Sequence, residues 1–389
     1  MKTSHQIIFD NSNHMNTIPS ESIALVVTSP PYPMIKMWDE MFINQNPAID
    51  NALKSRKGPD AFELMHRILD AVWNEVFRVL KNGGIACINI GDATRTINDN
   101  FSLYQNHTRM MSHLLKLGFS ALPAILWRKQ TNAPNKFMGS GMLPPGAYVT
   151  LEHEYILIVR KGEKRKFKSL EDKQIRRQSA FFWEERNIWF SDIWLDVKGA
   201  SQKLFENKVR NRSAAFPFEV PYRLINMFSV KGDTVLDPFL GIGTTMYAAM
   251  TAGRNSVGFE LDINLRDSVR SMIDSITIYS NELINNRLST HLSFLNEKYK
   301  TGKEFEYLNK HYGFPVVTNQ EKELLINSIV SVKETNSNNF EMMYSKEPQQ
   351  EFCGDWKDVL QKDSITSHSK RPKFKKHRKK HYQLKLLNK

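Results

Sequence analysis

Residues 234–260 read TVLDPFLGIGTTMYAAMTAGRNSVGFE, and the order of residue types in this stretch decides the fold class. The apolar run TVLD ends at Asp237, Gly241 and Gly243 follow, a stretch rich in Ala and Met runs to Gly253, and a second apolar run closes on Glu260. Short apolar runs bounded by turn residues predict strands, and the segment between them predicts a helix stopped by Gly253. The product is a β-loop-α-β unit, the building block of a parallel sheet. Glycines between a strand and a helix let a ligand approach the backbone. Thr244 and Thr245 stand where a phosphate-binding loop needs lysine, and no third glycine completes a dinucleotide fingerprint. A nucleotide-like ligand held without phosphate contacts fits this loop. Glu260, at the end of the next strand, is placed to accept hydrogen bonds from both hydroxyls of a ribose.

Outward from this unit the pattern repeats. Upstream, an amphipathic helix carrying Leu224, Ile225 and Phe228 leads through KGD into TVLD. At the N-terminus QIIFD and SIALVVT predict strands ending at Asp10 and Thr28. In AFELMHRILDAVWNEVFRVL the residues Leu64, Ile68, Val72, Val76 and Leu80 recur every four positions, which predicts a helix, with KNGG to stop it. IACINIGD, ALPAILWRK and LEHEYILIVRK read as strands and MMSHLLKLGF as a helix, so strands alternate with helices in an α/β sheet. QTNAPNKFMGSGMLPPGAY, residues 130–148, reads as a long loop on the working edge of that sheet. Residues 161–212 carry basic charge first (KGEKRKFKSLEDKQIRRQ) and large rings second (AFFWEERNIWFSDIW). They read as a basic surface hairpin packed on the body by its aromatics, or as an element that contacts DNA. Beyond about residue 285 the chain is rich in Asn, Lys and Glu, with intermittent helical stretches such as EKELLINSIVSV.

The chain of 389 residues, 41% hydrophobic, suffices for one large or two ordinary domains. No apolar run is long enough to span a bilayer, which points to a cytoplasmic protein with no membrane partner. Cys87 and Cys353 are too far apart in sequence to suggest a disulfide framework, and HEYIL at 153–157 lacks the second His of a zinc-binding helix, so no metal is expected. The net charge is +13, of which residues 370–389 alone carry +10 with no acid. This tail reads as a solubilising terminus, a phosphate-contacting arm, or both.

The remaining signal is TSPPY, residues 28–32, at the end of SIALVVT. Two adjacent prolines cannot donate backbone hydrogen bonds, so they end the strand in a rigid corner rich in acceptors, with the Tyr32 ring beside it. TSPPY together with DPFLGIGTT and GFE resembles the catalytic and S-adenosylmethionine-binding motifs of the amino-directed DNA methyltransferases. The catalytic tetrad precedes the cofactor loop, as in the circularly permuted class called beta. The resemblance spans roughly residues 5–265. It implies a Rossmann-like methyltransferase core with a seven-stranded, mostly parallel sheet, a recognition insert and a C-terminal extension. Carried over residue by residue, it implies a catalytic corner of Ser29, Pro30, Pro31 and Tyr32. Asp237, Phe239, Gly241, Gly243 and Thr244 would line the methionine part of S-adenosylmethionine, Glu260 its ribose and Asp10 its adenine. Phe216 stands where the family has another cofactor-contacting segment, although NRSAAFP lacks the His often found just upstream.

The chemistry agrees with the residue types. An exocyclic amino nitrogen is a poor nucleophile because its lone pair is delocalised into the base, so a site must accept hydrogen bonds from the NH₂ group and orient it; the Ser29 hydroxyl and Pro30 carbonyl are such acceptors. The target must be flipped from the duplex at a cost of a few kcal/mol, which stacking on Tyr32, about 1–3 kcal/mol per base in other systems, offsets. A C5 methyltransferase is disfavoured because its Pro-Cys pair is absent. Serine in the first tetrad position is more typical of cytosine-N4 enzymes, and DPPY of adenine-N6 enzymes. The expected protein is therefore a cytosine-N4 methyltransferase acting on double-stranded DNA, with a cognate restriction endonuclease as functional partner. The alternatives are an adenine-N6 enzyme and a non-catalytic DNA-binding protein on a degenerate methyltransferase fold. The expected division is 1–160 for the catalytic half, 161–212 for the insert and 213–285 for the cofactor half. Residues 286–369 form a C-terminal region that shares target recognition, and 370–389 the tail.

Overall fold

The computed structural model describes residues 1–129, 138–197 and 216–357. The basic tail, the end of the 161–212 insert, NRSAA and part of the 130–148 loop lie outside these residues. The first half of the chain forms β1 (Lys2–Ile8), β2 (Ile23–Thr28), α1 (Asp39–Gln45), α2 (Ala48–Lys54), α3 (Gly58–Val79), β3 (Leu80–Ile90), β4 (Ala93–Ile97), β5 (Asn100–Tyr104), α4 (Asn106–Lys116), β6 (Phe119–Arg128), β7 (Met138–Gly139), β8 (Ala147–Tyr148) and β9 (His153–Lys161). It continues with α5 (Leu170–Gln178), α6 (Trp183–Trp189), β10 (Ile193–Trp194), α7 (Glu219–Phe228), β11 (Thr234–Asp237), α8 (Thr244–Ala252) and β12 (Asn255–Phe259). The last elements are α9 (Arg266–Lys300), β13 (Tyr307–Leu308), β14 (Pro315–Val316), β15 (Ile329–Asn336) and β16 (Asn339–Tyr344).

Ten strands form one sheet in the order β10-β6-β9-β3-β2-β11-β12-β1-β16-β15. The five at its centre, β3 to β1, run parallel, while β9 pairs antiparallel with both β3 and β6. The seven expected strands are therefore present, and the sheet is three strands wider than expected. β10 adds to one edge and the β15–β16 hairpin to the other, where β16 pairs antiparallel with β1. Helices cover both faces, so β2 is buried at all six positions and reads as a continuous apolar run without alternation. Leu25 and Val27 pack toward α7, α8 and the start of α9, and Val26 packs toward α3 and α4. All nine residues of α8 are buried, which is why this helix shows no polar stripe in sequence.

Three local expectations are corrected. KNGG does not stop α3: the helix ends at Val79, and the glycines loop out inside β3, where Ile23 pairs Leu80 but Leu25 already pairs Ile85. The described part of the insert is not a hairpin. It begins with two short helices, α5 capped by the Ser169 hydroxyl, which accepts from Asp172 N at 3.0 Å. EKELLINSIVSV is not helical either. Leu324, Leu325 and Ile326 enter a third apolar cluster in irregular backbone, whose carbonyls at Glu321 and Leu324 are satisfied by the Asn309 side-chain amide at 2.9 and 2.8 Å. Tertiary hydrogen bonds thus replace the helical ones.

α9, 35 residues long, spans about 50 Å. Its first half packs on the sheet through Val269, Ile273 and Ile276. Its second half holds the third cluster through Ile284, Leu288, Leu292 and Leu295, together with Phe182, Tyr312 and Phe314. The 285/286 division falls inside this helix. The Phe182 ring stacks on His291 at 3.9 Å, and the Arg287 guanidinium forms a two-pronged ion pair with Glu185, so the aromatic half of the insert is bound to the C-terminal region. No helix among the described residues is long and apolar enough to cross a membrane.

Candidate active site

β2, β11, β12 and β1 are neighbours, and their carboxyl ends bring together residues far apart in the chain. Beyond Thr28 the two prolines turn the backbone, and Met34 just after them holds a left-handed φ of 68° while fully buried. A non-glycine residue in that region is strained, and surrounding packing holds it there. Pro30 is buried, whereas Ser29, Pro31 and Tyr32 remain half-buried. Ser29 Oγ lies 3.1 Å from the Tyr32 hydroxyl, which donates to Glu154 Oε2 at 3.0 Å and accepts from Asn89 Nδ2 at 2.8 Å. Asn89 also donates to Glu154 Oε2 at 2.6 Å, and Lys129 Nζ donates to the other oxygen at 2.8 Å. Burial, and then the Glu154 carboxylate, push the Tyr32 phenol well above its ordinary range, so it stays protonated. A Cβ at Gly91 would stand 2.9 Å from the Tyr32 ring, so only glycine there lets the ring lie where it does.

Beside β2, Asp237 ends β11 fully inside the protein. Its Oδ1 accepts from Thr28 Oγ1 at 2.6 Å and from Phe239 N at 3.0 Å, which ties the end of β2 to the glycine loop. Burial raises the Asp237 carboxyl to about 6, against the lowering effect of its hydrogen bonds from Thr28, Thr245 and Phe239 N. A carboxyl raised in the folded state favours folding when protonated. Its stabilising contribution is complete below the unfolded value of 3.8 and is lost as pH rises through about 6. Asp237→Asn should therefore stabilise the cofactor-free protein at pH 7.5, by about 3 kcal/mol at most, and not at pH 4, read as the shift in thermal midpoint at each pH.

Glu260 follows β12. Its amide donates to Ile8 O of β1 at 3.0 Å, and its two carboxylate oxygens accept from Gly241 N and Asp262 N, each at 2.8 Å. Burial raises its pKa, and these two amides oppose the shift. Gly241 has a φ of 55° and nothing within 4 Å of where a Cβ would stand, so the loop faces open space. Gly243, at a φ of 89°, opens α8 directly before the buried Thr244. Phe239 packs edge-on against Trp73 at 6.0 Å. Asp10 is exposed two residues beyond the end of β1, and Phe216 is buried in the apolar cluster with α7 and α8. The sheet therefore gathers Ser29, Tyr32, Asp237, Glu260 and the glycine loop along one edge, with Asp10 at its β1 end, while the Phe216 ring belongs to the core.

Sequence reasoning missed Thr28, Asn89, Lys129 and Glu154. The available signal was a carboxylate opening an otherwise apolar strand: Glu154 is 8% exposed, and a buried acid needs partners.

The arrangement matches known proteins. Residues 23–271 match the DNA methylase family N6_N4_Mtase. A type II methyltransferase of Methanothermobacter thermautotrophicus, M.MthZI, is 51% identical over 347 residues, 89% of this chain and 96% of that protein. M.MjaI, a type II methyltransferase of Methanocaldococcus jannaschii, is 51% identical over 282 residues, 70% of this chain and 91% of its own length. Among solved structures, that of a Thermus thermophilus protein described as a DNA modification methylase, complexed with S-adenosyl-L-methionine, superposes with a TM-score of 0.54 at 30% identity, covering 69% of this chain and 92% of that one.

The residues present fit that cofactor. Each Glu260 oxygen keeps a lone pair beyond its backbone amide, enough for two ribose hydroxyls, and no atom lies within 4 Å of where a Cβ of Gly241 would stand. When bound, S-adenosylmethionine supplies an electrophilic methyl group on a sulfonium. The corner that carries Ser29 and Tyr32 stands at the carboxyl end of β2, the strand beside β11. From the family match across residues 23–271 and the shared sheet edge, this chain belongs to the N6/N4 DNA methylase family and is an S-adenosylmethionine-dependent DNA methyltransferase.

Proposed function

We propose that the protein methylates the exocyclic N4 of cytosine in duplex DNA, as the permuted, beta-class modification enzyme of a restriction system. The observation that carries the choice of base is Ser29. A neutral hydroxyl, not a carboxylate, heads the corner, and its oxygen is held 3.1 Å from Tyr32 at the end of the central strand. The Pro30 carbonyl is the second acceptor for the NH₂ hydrogens. Ser29 and Pro30 orient the amino nitrogen for direct attack, with no covalent enzyme intermediate, while the flipped base stacks on Tyr32. Asp237, Gly241, Gly243, Thr244 and Phe239 hold the methionine end of the cofactor, Glu260 the ribose, and Asp10 the adenine end. Two relatives bearing the name type II methyltransferase support the restriction role, with protection from a cognate endonuclease as its purpose.

Target recognition is assigned to the insert from residue 161 together with the C-terminal region. In support, Phe182 and Glu185 of the former are built into one apolar cluster and ion pair with α9 of the latter.

The test is mass spectrometry of nucleosides from plasmid DNA incubated with the protein and S-adenosylmethionine. N4-methylcytosine is the expected product. N6-methyladenine would overturn the assignment of base and leave the enzyme class standing, and the absence of any modified base would favour the degenerate, non-catalytic reading.

A further inference from the structure

We propose that Glu154 sets the direction of a hydrogen-bond chain through Tyr32 to Ser29, so that Ser29 Oγ meets a flipped base as an acceptor and selects amino-bearing over carbonyl-bearing targets. The proposal rests on the reading of Ser29 given above and adds a specificity-determining residue that touches no substrate.

The argument is a count of protons. Glu154 sits near the start of β9 with three partners, Tyr32 Oη at 3.0 Å, Asn89 Nδ2 at 2.6 Å and Lys129 Nζ at 2.8 Å. The amide and the ammonium can only donate through these nitrogens, and an ionised carboxylate can only accept. The opposite orientation of the Asn89 amide would set its oxygen against the carboxylate at the same short distance, so Glu154 also orients Asn89. The single Tyr32 proton is therefore committed to Glu154. The Tyr32 oxygen already accepts from Asn89 at 2.8 Å and has one position left, facing Ser29 at 3.1 Å. Tyr32 has no second proton to give, so Ser29 donates in that contact. The serine hydrogen is thereby used up, and its lone pairs are what a half-buried hydroxyl has left to offer a ligand.

An exocyclic amino group presents hydrogens to those lone pairs, whereas a carbonyl in the same place presents lone pairs of its own. A buried site built for one polarity discriminates strongly against the other. The high pKa of the Tyr32 phenol keeps its proton in place and the chain in one sense. Lys129 directly follows β6 and Glu154 stands on β9, both strands outside the five parallel ones, so the choice of polarity is made from the antiparallel side of the sheet.

The test is read as binding to the cofactor-free full-length protein. Once the modified position is mapped, equilibrium binding is measured to duplexes carrying the target base or its deaminated counterpart, uracil for cytosine or hypoxanthine for adenine. The variant is Glu154→Gln made together with Asn89→Leu, because an Asn89 left in place would turn its oxygen toward the new amide, take the Tyr32 proton and leave Ser29 donating as before. In the paired variant Lys129 retains the Gln oxygen. The Gln nitrogen donates to Tyr32, whose proton turns to Ser29, and Ser29 donates to the base. The wild-type preference for the amino-bearing duplex is expected to fall by about tenfold or more, or to invert. The mismatch created by deamination affects both proteins alike and cancels in the ratio of their preferences.

Tyr32→Phe should lose the preference as well, and adding it to the paired variant should make that variant no worse than Tyr32→Phe alone, because Glu154 acts through Tyr32. Methyl transfer should fall in the paired variant while affinity for S-adenosylmethionine stays within about twofold, a split that a loosened fold would not produce. A paired variant with the wild-type preference, or additive losses on adding Tyr32→Phe, would overturn the proposal. If the paired variant does not fold, Tyr32→Phe, which removes one oxygen, decides it: an unchanged preference overturns the chain. A wild-type protein that modifies no base would instead sink the underlying reading of Ser29, so the two failures are distinguishable.

Discussion

Tyr32→Ala is expected to reduce methyl transfer roughly a thousandfold while the protein stays folded and retains S-adenosylmethionine binding. Two losses combine. Base stacking on an aromatic ring contributes about 1–3 kcal/mol, or roughly ten- to a hundredfold, and misplaced acceptors in comparable polar sites cost a further tenfold or more. The fold should survive because Tyr32 is half-buried, at the margin of the apolar cluster beneath α3, and because Glu154 keeps Asn89 and Lys129 as partners once the phenol is gone. The measurement is single-turnover transfer of labelled methyl to DNA, beside circular dichroism and cofactor titration. Transfer at the wild-type rate would remove Tyr32 from the proposed corner, and loss of cofactor binding together with transfer would make it a structural residue.

Glu260→Gln is the second large effect, and it falls on the other half of the site: affinity for S-adenosylmethionine should drop by about a hundredfold or more. Hydrogen bonds to a charged acceptor contribute about 1.5–3 kcal/mol each, and a ribose makes two. An amide in place of the carboxylate offers one acceptor oxygen, while Gly241 N and Asp262 N, both of which now donate to Glu260, compete for it. The side chain proposed to hold the ribose thus also ties down the glycine loop through Gly241 N. Calorimetric titration checks this, with methyl transfer at saturating cofactor as the companion measurement. Binding reduced less than about threefold would move the ribose contact to another residue. Because Glu260 and Tyr32 stand at the ends of different strands, the two variants should separate cleanly, one in cofactor affinity and the other in the transfer step.

Residue order was sufficient for the core of the fold. TVLD, the glycine loop and NSVGF form β11, the turn into α8, and β12, because strand, turn and helix signals in that unit all agree and are local. SIALVVT became β2, since a strand buried on both faces must be apolar throughout. The partners of those strands were less legible. The widening of the sheet to ten strands came from β10 and from β15–β16, whose pairing with β1 joins residues more than three hundred positions apart. EKELLINSIVSV shows why: its apolar residues suit a helix as well as an extended segment, and the Asn309 amide and the third cluster made the choice.

The candidate site divides in the same way. Ser29, Tyr32, Asp237, Gly241, Gly243 and Glu260 were visible because each sits in a short motif whose neighbours announce a strand end. Glu154, Asn89 and Lys129 carry no such motif. They reach Tyr32 because β3, β9 and β6 lie side by side with β9 reversed, which brings Glu154 to the hydroxyl of a tyrosine 122 residues earlier. The amino-acid sequence alone determined the α/β unit, the corner at the end of β2 and the glycine loop before α8, since these depend on backbone preferences within a few residues. Only the tertiary structure decided which acid, amide and ammonium surround the corner, because a buried polar group takes its partners from whichever strands the sheet sets beside it.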